Sequence, residues 1–136
     1  MPFKFEKLEV YQLALEYVDL AYEIAGMLPQ NEEYNLRSQL KRAATSVALN
    51  IAEGSTGQSN LEQARFLGMA IRSLLETVAC QHIIRRCDFL QNQEILDRAS
   101  QQAEILVSKL YAFRRAIDPE KRWIRDAETE YITDEG

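Results

Sequence analysis

Residues 50–60 read Asn50-Ile51-Ala52-Glu53-Gly54-Ser55-Thr56-Gly57-Gln58-Ser59-Asn60. An amide, a carboxylate, two glycines and several hydroxyls crowd together here. The stretch reads either as a ligand-holding loop or as a joint between two helices, and the joint accounts for more of it. Gly54 stands where a helix must stop, so it suits the left-handed position after a helix C-terminus. Gly57 allows a second sharp bend. Ser59 then serves as N-cap of the next helix, with Glu62 three residues on, the Ser-x-x-Glu pattern of a capping box. A phosphate-cradling loop would want a preceding strand, and a lysine or G-x-G-x-x-G spacing; the stretch has none of these.

On either side of the joint, apolar residues recur at helical spacing and no strand pattern appears. A first helix is expected over about residues 6–25, with Leu8, Tyr11, Leu15, Val18, Tyr22 and Ala25 inward and Gly26 and Pro29 ending it. A second covers about 35–53, carrying Leu36, Leu40, Ala43, Val47, Asn50 and Ile51 on one side. A third runs over about 60–90, with Leu61, Ala64, Gly68, Ile71, Leu75, Val78 and His82 as its seam and Phe66, Leu67, Ala70 and Leu74 widening it. A fourth covers about 92–117, with Ile95, Ala99, Leu106, Leu110 and Phe113 inward. Short loops make successive helices antiparallel. The expectation is an all-α, up-down-up-down four-helix bundle over residues 1–117. Gly68, in mid-helix, costs about 1 kcal/mol against alanine unless a neighbour approaches closely.

A chain of 136 residues with 46% hydrophobic content suffices for one domain with a true core. With a net charge of −5 the whole chain is not an obvious nucleic-acid binder. Charge is unevenly spread: −5 over residues 1–33, +4 over 34–117 and −4 over 118–136. The last segment reads as an acidic C-terminal tail, with Trp123, Ile124, Tyr131 and Ile132 available to anchor it. The opening MPFKFEKLEVYQ meets charge at once and does not resemble a signal peptide, and no stretch is long enough to span a bilayer. A soluble cytoplasmic protein that contacts no membrane is the expectation.

Asn50 falls on the apolar stripe, and a buried amide must be hydrogen-bonded. Arg42, Glu53, Ser73 and Glu76 are its plausible partners, forming a polar network that fixes helix register or subunit contacts. The rival is a catalytic carboxylate pair, Glu53 with Glu76, which would need a base, a metal or a polarised water. Di-metal bundles use Glu-x-x-His, and His82, the sole histidine, has no glutamate three residues before it. Cys80 and Cys87 would lie about 10 Å apart along one helix, too far for a disulfide; both read as buried thiols. The sequence shows no catalytic residue, metal ligand set or cofactor motif.

The segment SQLKRAATSVALNIAEGSTGQSNLEQARFLGMAIRSLLETVACQ, residues 38–81, closely resembles the bacterial family of proteins encoded in intervening sequences of 23S rRNA genes. The resemblance rests on Arg42, Ala43, Ser46, Val47, Asn50, Ile51, Ala52, Glu53 and Gly54, followed by Phe66, Leu67, Ala70, Ser73 and Glu76. It covers about residues 3–115. It implies an all-α bundle assembled as a homopentameric ring, and no known catalysis. A related branch, the accessory variability determinant proteins of diversity-generating retroelements, is strongly basic and works with a reverse transcriptase and its RNA; this chain is acidic.

Two functions compete ahead of a third, an enzyme, for which the sequence shows no nucleophile–base pair. One is a non-enzymatic oligomeric scaffold or accessory protein. The other is a nucleic-acid-binding accessory protein working with a reverse transcriptase or ribosomal RNA, with Arg37, Lys41, Arg65, Arg72, Arg85, Arg86, Arg114 and Arg115 lining one surface. The sequence favours the first, with the cations solvated or ion-paired; Arg72 and Glu76 stand at i,i+4.

Overall fold

The computed structural model describes residues 3–57 and 59–126. They form helices α1 (Glu9–Met27), α2 (Ser38–Gly54), α3 (Asn60–Arg86) and α4 (Glu94–Ile117), with no strand among the described residues. Short turns precede α1 (Lys4–Lys7), join α1 to α2 (Gln30–Glu32, then a π turn Glu33–Arg37) and follow α4 (Arg122–Asp126). Each helix packs on the next, and α4 returns to α1. Close pairs fix the directions. Phe66 near the start of α3 meets Gly54 at the end of α2. Arg85 near the end of α3 bonds Asp97 near the start of α4. Lys109 late in α4 pairs with Glu9 at the start of α1. Successive helices therefore alternate in direction, and α1 and α3 lie diagonally across the core.

The ends of the helices have local causes. α2 starts at Ser38, three residues later than expected, because the π turn is tied down first. Glu32 accepts from the Leu36 N–H and from Asn35 Nδ2, and Arg37 donates to Glu33 Oε1 and to the Leu28 carbonyl. α3 stops at Arg86 rather than near residue 90. Asp88 takes a left-handed φ of 56°, its N–H bonds the Arg85 carbonyl, and the Phe89 N–H bonds the Ile84 carbonyl. That is a Schellman ending with aspartate where glycine is usual. Cys87 sits in this turn and is exposed, so only Cys80 is the buried thiol the sequence suggested.

The inward stripes of α1 and α3 differ from expectation. On α1 the buried residues are Val10, Ala14, Tyr17, Leu20, Ala21, Ile24 and Ala25, while Leu15 and Tyr22 are exposed. On α3, Thr77, Cys80, Gln81 and Ile84 are buried while Leu75 and His82 face water. Both helices carry apolar residues on two stripes of equal spacing, and periodicity alone cannot choose between them. The α2 stripe is buried as expected at Leu36, Leu40, Ala43, Val47 and Ile51, and so is that of α4 at Ile95, Ala99, Leu106 and Leu110.

The core also holds polar groups. Gln81 Nε2 donates to the Tyr17 hydroxyl at 2.6 Å. The Thr77 hydroxyl donates to the Leu74 carbonyl, so its oxygen takes the Tyr17 proton, again at 2.6 Å. All three side chains are almost fully buried and every bond in the relay has a donor and an acceptor. Burial pushes the Tyr17 hydroxyl up to about 12, with the bonds to Thr77 and Gln81 pulling the other way.

Packing continues past Ile117. Trp123 is buried, its ring 3.7 Å from the Arg114 guanidinium carbon, and Asp118 is buried beneath the turn. Asp118 accepts from Arg122 Nε at 2.7 Å and from the Arg122 N–H at 2.8 Å. Trp123 thus anchors the start of the segment read as a tail; Tyr131 and Ile132 lie outside the described residues.

Candidate functional site

The opening stretch closes a helix end and starts another. The Ser55 hydroxyl donates to the Ile51 carbonyl and accepts from Gln63 Nε2, and the Thr56 hydroxyl donates to the Glu53 carbonyl. Gly57 has φ +96°, which favours glycine. Ser59 Oγ accepts the Glu62 N–H at 3.1 Å, as expected of the N-cap, while the Glu62 carboxylate is taken by Arg65 at 2.6 Å. Gly54 has a different role from the one expected. It is the last residue of α2, and a Cβ there would lie 2.8 Å from Phe66 Cβ. It is glycine because α3 comes too close for a side chain.

One turn earlier, the polar residues of α2 occupy the helix's outer face. Asn50 Nδ2 donates to the Ser46 carbonyl at 2.9 Å and to Ser46 Oγ at 3.0 Å. Ser73 Oγ, from α3, donates to the same Ser46 Oγ at 2.9 Å. The network that joins the two helices is therefore Ser46, Asn50 and Ser73. Asn50 is half-buried rather than buried, and Arg42, Glu53 and Glu76 are exposed and take no part. A carboxylate raised above the main chain into water has no need of an amide partner, which is why the expected five-residue network does not form.

Arg42, Ser46, Asn50 and Glu53 form one wall of a groove of about 810 Å³ along α2. Tyr22 of α1, Tyr34 of the π turn and Leu49 supply its apolar surface. Lys41 lies over the Tyr22 ring at 5.6 Å, and the Tyr22 hydroxyl reaches Thr45 Oγ1 at 3.5 Å. The polar island is thus half-buried and borders a groove, where the sequence suggested a buried network.

The eight cations expected on one surface are spread apart. Arg37 is bonded to Glu33 and Leu28, Arg65 to Glu62, and Arg85 to Asp97 and Gln93. Arg37, Arg85 and Arg86 sit at the end of the bundle where α1 and α3 finish; Arg65, Arg114 and Arg115 sit at the other. Lys41 and Arg72 lie on different helices between them. Arg114 is buried, between Trp123 and the α3 backbone at Gly68, where a Cβ would stand 3.4 Å from its Nη1. No single phosphate-binding face results.

The model of the 23S rRNA-intervening sequence protein family matches residues 6–112. The chain belongs to that family. No curated protein sequence matches it. The family match takes in all of α1, α2 and α3 and most of α4, and with them the whole Ser46–Asn50–Ser73 contact. It stops before Asp118 and Trp123, so the anchored turn lies beyond the matched segment of this intervening-sequence protein. Among its described residues, no helix is long and apolar enough to cross a membrane.

The residues that sequence reasoning missed are Tyr17, Thr77, Gln81 and Asp118; Trp123 was expected as an anchor and Arg114 as a surface cation, but not their contact with each other. The only signal for the first three was a pair of polar residues, Thr77 and Gln81, four apart on a helix otherwise rich in apolar positions.

Proposed function

We propose that this intervening-sequence protein is a non-enzymatic, cytoplasmic scaffold or accessory protein that acts as a homo-oligomeric ring. The observation that carries this is the second apolar stripe on two helices. Leu15 on α1, and Met69, Leu75 and Ile83 on α3, stay in water when one chain stands alone. The α1 stripe is flanked by Glu16, Asp19 and Glu23, and the α3 stripe by Arg72, Glu76 and Arg86. These two faces lie on opposite sides of the bundle. A closed ring of more than two subunits needs such a pair of unlike, complementary faces. Five subunits is the number the family resemblance implies.

Sedimentation at micromolar concentration tests it. The expected mass is five times the 15.7 kDa of one chain. Leu15→Glu and Leu75→Glu, both at exposed positions, should each lower that mass while helix content is unchanged. A wild-type monomer would sink the proposal. Filter binding of RNA and DNA at two salt concentrations covers the competing role; tight retention that falls steeply with salt would move the reading to nucleic acid.

A further inference from the structure

We propose that the Tyr17–Thr77–Gln81 relay is a rotational lock between the diagonal helices α1 and α3, and that it decides which of their two apolar stripes faces the core. On each helix the two stripes differ by one residue. α1 buries Val10, Ala14, Tyr17, Ala21 and Ile24. Moving every position on by one gives Tyr11, Leu15, Val18, Tyr22 and Ala25, with one alanine in place of two. α3 buries Leu67, Ala70, Leu74, Thr77, Gln81 and Ile84. The same step gives Gly68, Ile71, Leu75, Val78, His82 and Arg85. One residue is about 100° of helix rotation. A slip of that size preserves the 3-4 spacing, and on α1 apolar area gives no preference for the stripe in use.

The relay supplies that preference. Its bonds cross the core from one helix to the other, Tyr17 to Thr77 and Gln81 to Tyr17, each at 2.6 Å. If α1 alone turned, the Gln81 amide would lose its acceptor inside the core. If α3 alone turned, the Tyr17 hydroxyl would lose both partners. A buried polar group left unpaired carries its full desolvation penalty, so neither helix can slip by itself. Turning both would bring the His82 and Arg85 positions inward, and Arg85 is tied to Asp97 at 2.7 Å and to Gln93 at 3.1 Å. Buried polar groups fix register in this way when their partners lie on another helix. Leu15 and Leu75 stay outside as a result. The lock rests on the fold of one chain; its consequence, that these two residues are presented to a neighbouring subunit, rests on the ring reading above.

Cys80 is the probe. It is 4% exposed and adjoins Gln81. A turn of α3 that brings Leu75 and Val78 inward carries it out to the surface. Cys87→Ser removes the exposed thiol and serves as the background. The full chain carrying Tyr17→Phe, Thr77→Val and Gln81→Leu has no lock and no orphaned polar group in its place. It should keep its helix content and unfold cooperatively in urea. Maleimide should nevertheless label its Cys80 about tenfold faster than global unfolding of the same variant allows, through rotation rather than unfolding. A second variant, Tyr17→Phe with Gln81→Met, leaves Thr77 bonded to the Leu74 carbonyl and guards against a packing fault in the first. Cys80 labelling in both that is no faster than their unfolding allows overturns the proposal, because the relay would then steady the core without choosing a stripe. Failure of both variants to fold overturns it for the same reason. Solution mass plays no part in this readout, so loss of the ring and loss of the lock are separate results.

Discussion

The Arg114 guanidinium is clamped between the Trp123 ring, 3.7 Å from its carbon, and the backbone at Gly68, with the Tyr111 ring 5.3 Å away. A cation over an indole face, shielded from water, is attracted by the ring quadrupole, by about 2 kcal/mol when desolvated. The contact ties the residues after α4 to α3 and explains why a glycine is tolerated in the middle of that helix. Trp123→Ala should cost about 3 kcal/mol in urea unfolding, and Trp123→Phe about 1 kcal/mol, because the phenyl ring keeps most of the area. Equal losses for the two would rule out the ring stacking as the cause.

Two glycines should respond differently to alanine. Helix propensity favours alanine by about 1 kcal/mol at both. At Gly54 the new Cβ meets Phe66 Cβ at 2.8 Å, an atom close to the backbone that cannot swing away. Gly54→Ala should therefore destabilise by about 2 kcal/mol. At Gly68 the nearest atom is Arg114 Nη1 at 3.4 Å, the far end of a long side chain. Gly68→Ala should stay within about 0.5 kcal/mol of wild type. Thermal melts of the two variants side by side decide it.

The turn after α4 should loosen in acid. Burial works to raise the Asp118 carboxyl, but the Arg122 side chain, the Arg122 N–H, the Arg122 charge and the Trp123 N–H outweigh it and leave it below its ordinary value. A carboxyl lowered on folding adds stability that is complete above its unfolded value of about 3.9 and vanishes as pH falls through the folded value. Trp123 is the sole tryptophan, so its emission reports the turn directly. The emission should shift red as pH drops from about 5 toward 2. Asp118→Asn should remove that step; an unchanged acid titration in the variant would exclude Asp118 as its origin.

The Tyr17 relay sets a limit at the alkaline end. Burial pushes its hydroxyl up to about 12 in the folded chain. Such a raised group contributes stability that is intact below the unfolded value of about 10 and is lost as pH climbs from there toward 12. Tyr17→Phe leaves the buried Gln81 amide without its acceptor and should cost about 1–3 kcal/mol at pH 7. The variant should lose less than wild type between pH 7 and 11 by urea unfolding. A parallel decline in both proteins would dismiss the hydroxyl as the alkaline trigger.

Ser59→Ala removes the oxygen that accepts the Glu62 N–H at 3.1 Å. A lost N-cap costs about 1 kcal/mol, and Ser59→Asp should restore most of it. Circular dichroism melts of the two variants provide the check; a Ser59→Asp protein no more stable than Ser59→Ala would mean that the side chain at this position does not cap α3.

The number of helices, their approximate limits and the joint with its bend at Gly57 and cap at Ser59 were legible in the sequence, because each rests on near neighbours: 3-4 apolar spacing, glycines where a helix must stop, a hydroxyl two or three residues from a free N–H; the left-handed residue itself is Gly57 and not Gly54, where it was expected. The stripes of α2 and α4 were legible too, since each of those helices has one apolar face. The inward faces of α1 and α3 were decided only by the fold. Both helices offer two stripes of similar apolarity, and which one is buried depends on the partner across the core, where Tyr17 meets Thr77 and Gln81 some 60 positions away. The clamp on Arg114 was hidden likewise, because it needs Gly68 of α3 brought beside the turn that carries Trp123, and only the packing of α3 on α2 revealed the role of Gly54 against Phe66. Local spacing records what a residue does to its own helix; contacts between remote segments depend on how surfaces fit once the helices are brought together, and that is set by the whole chain at once.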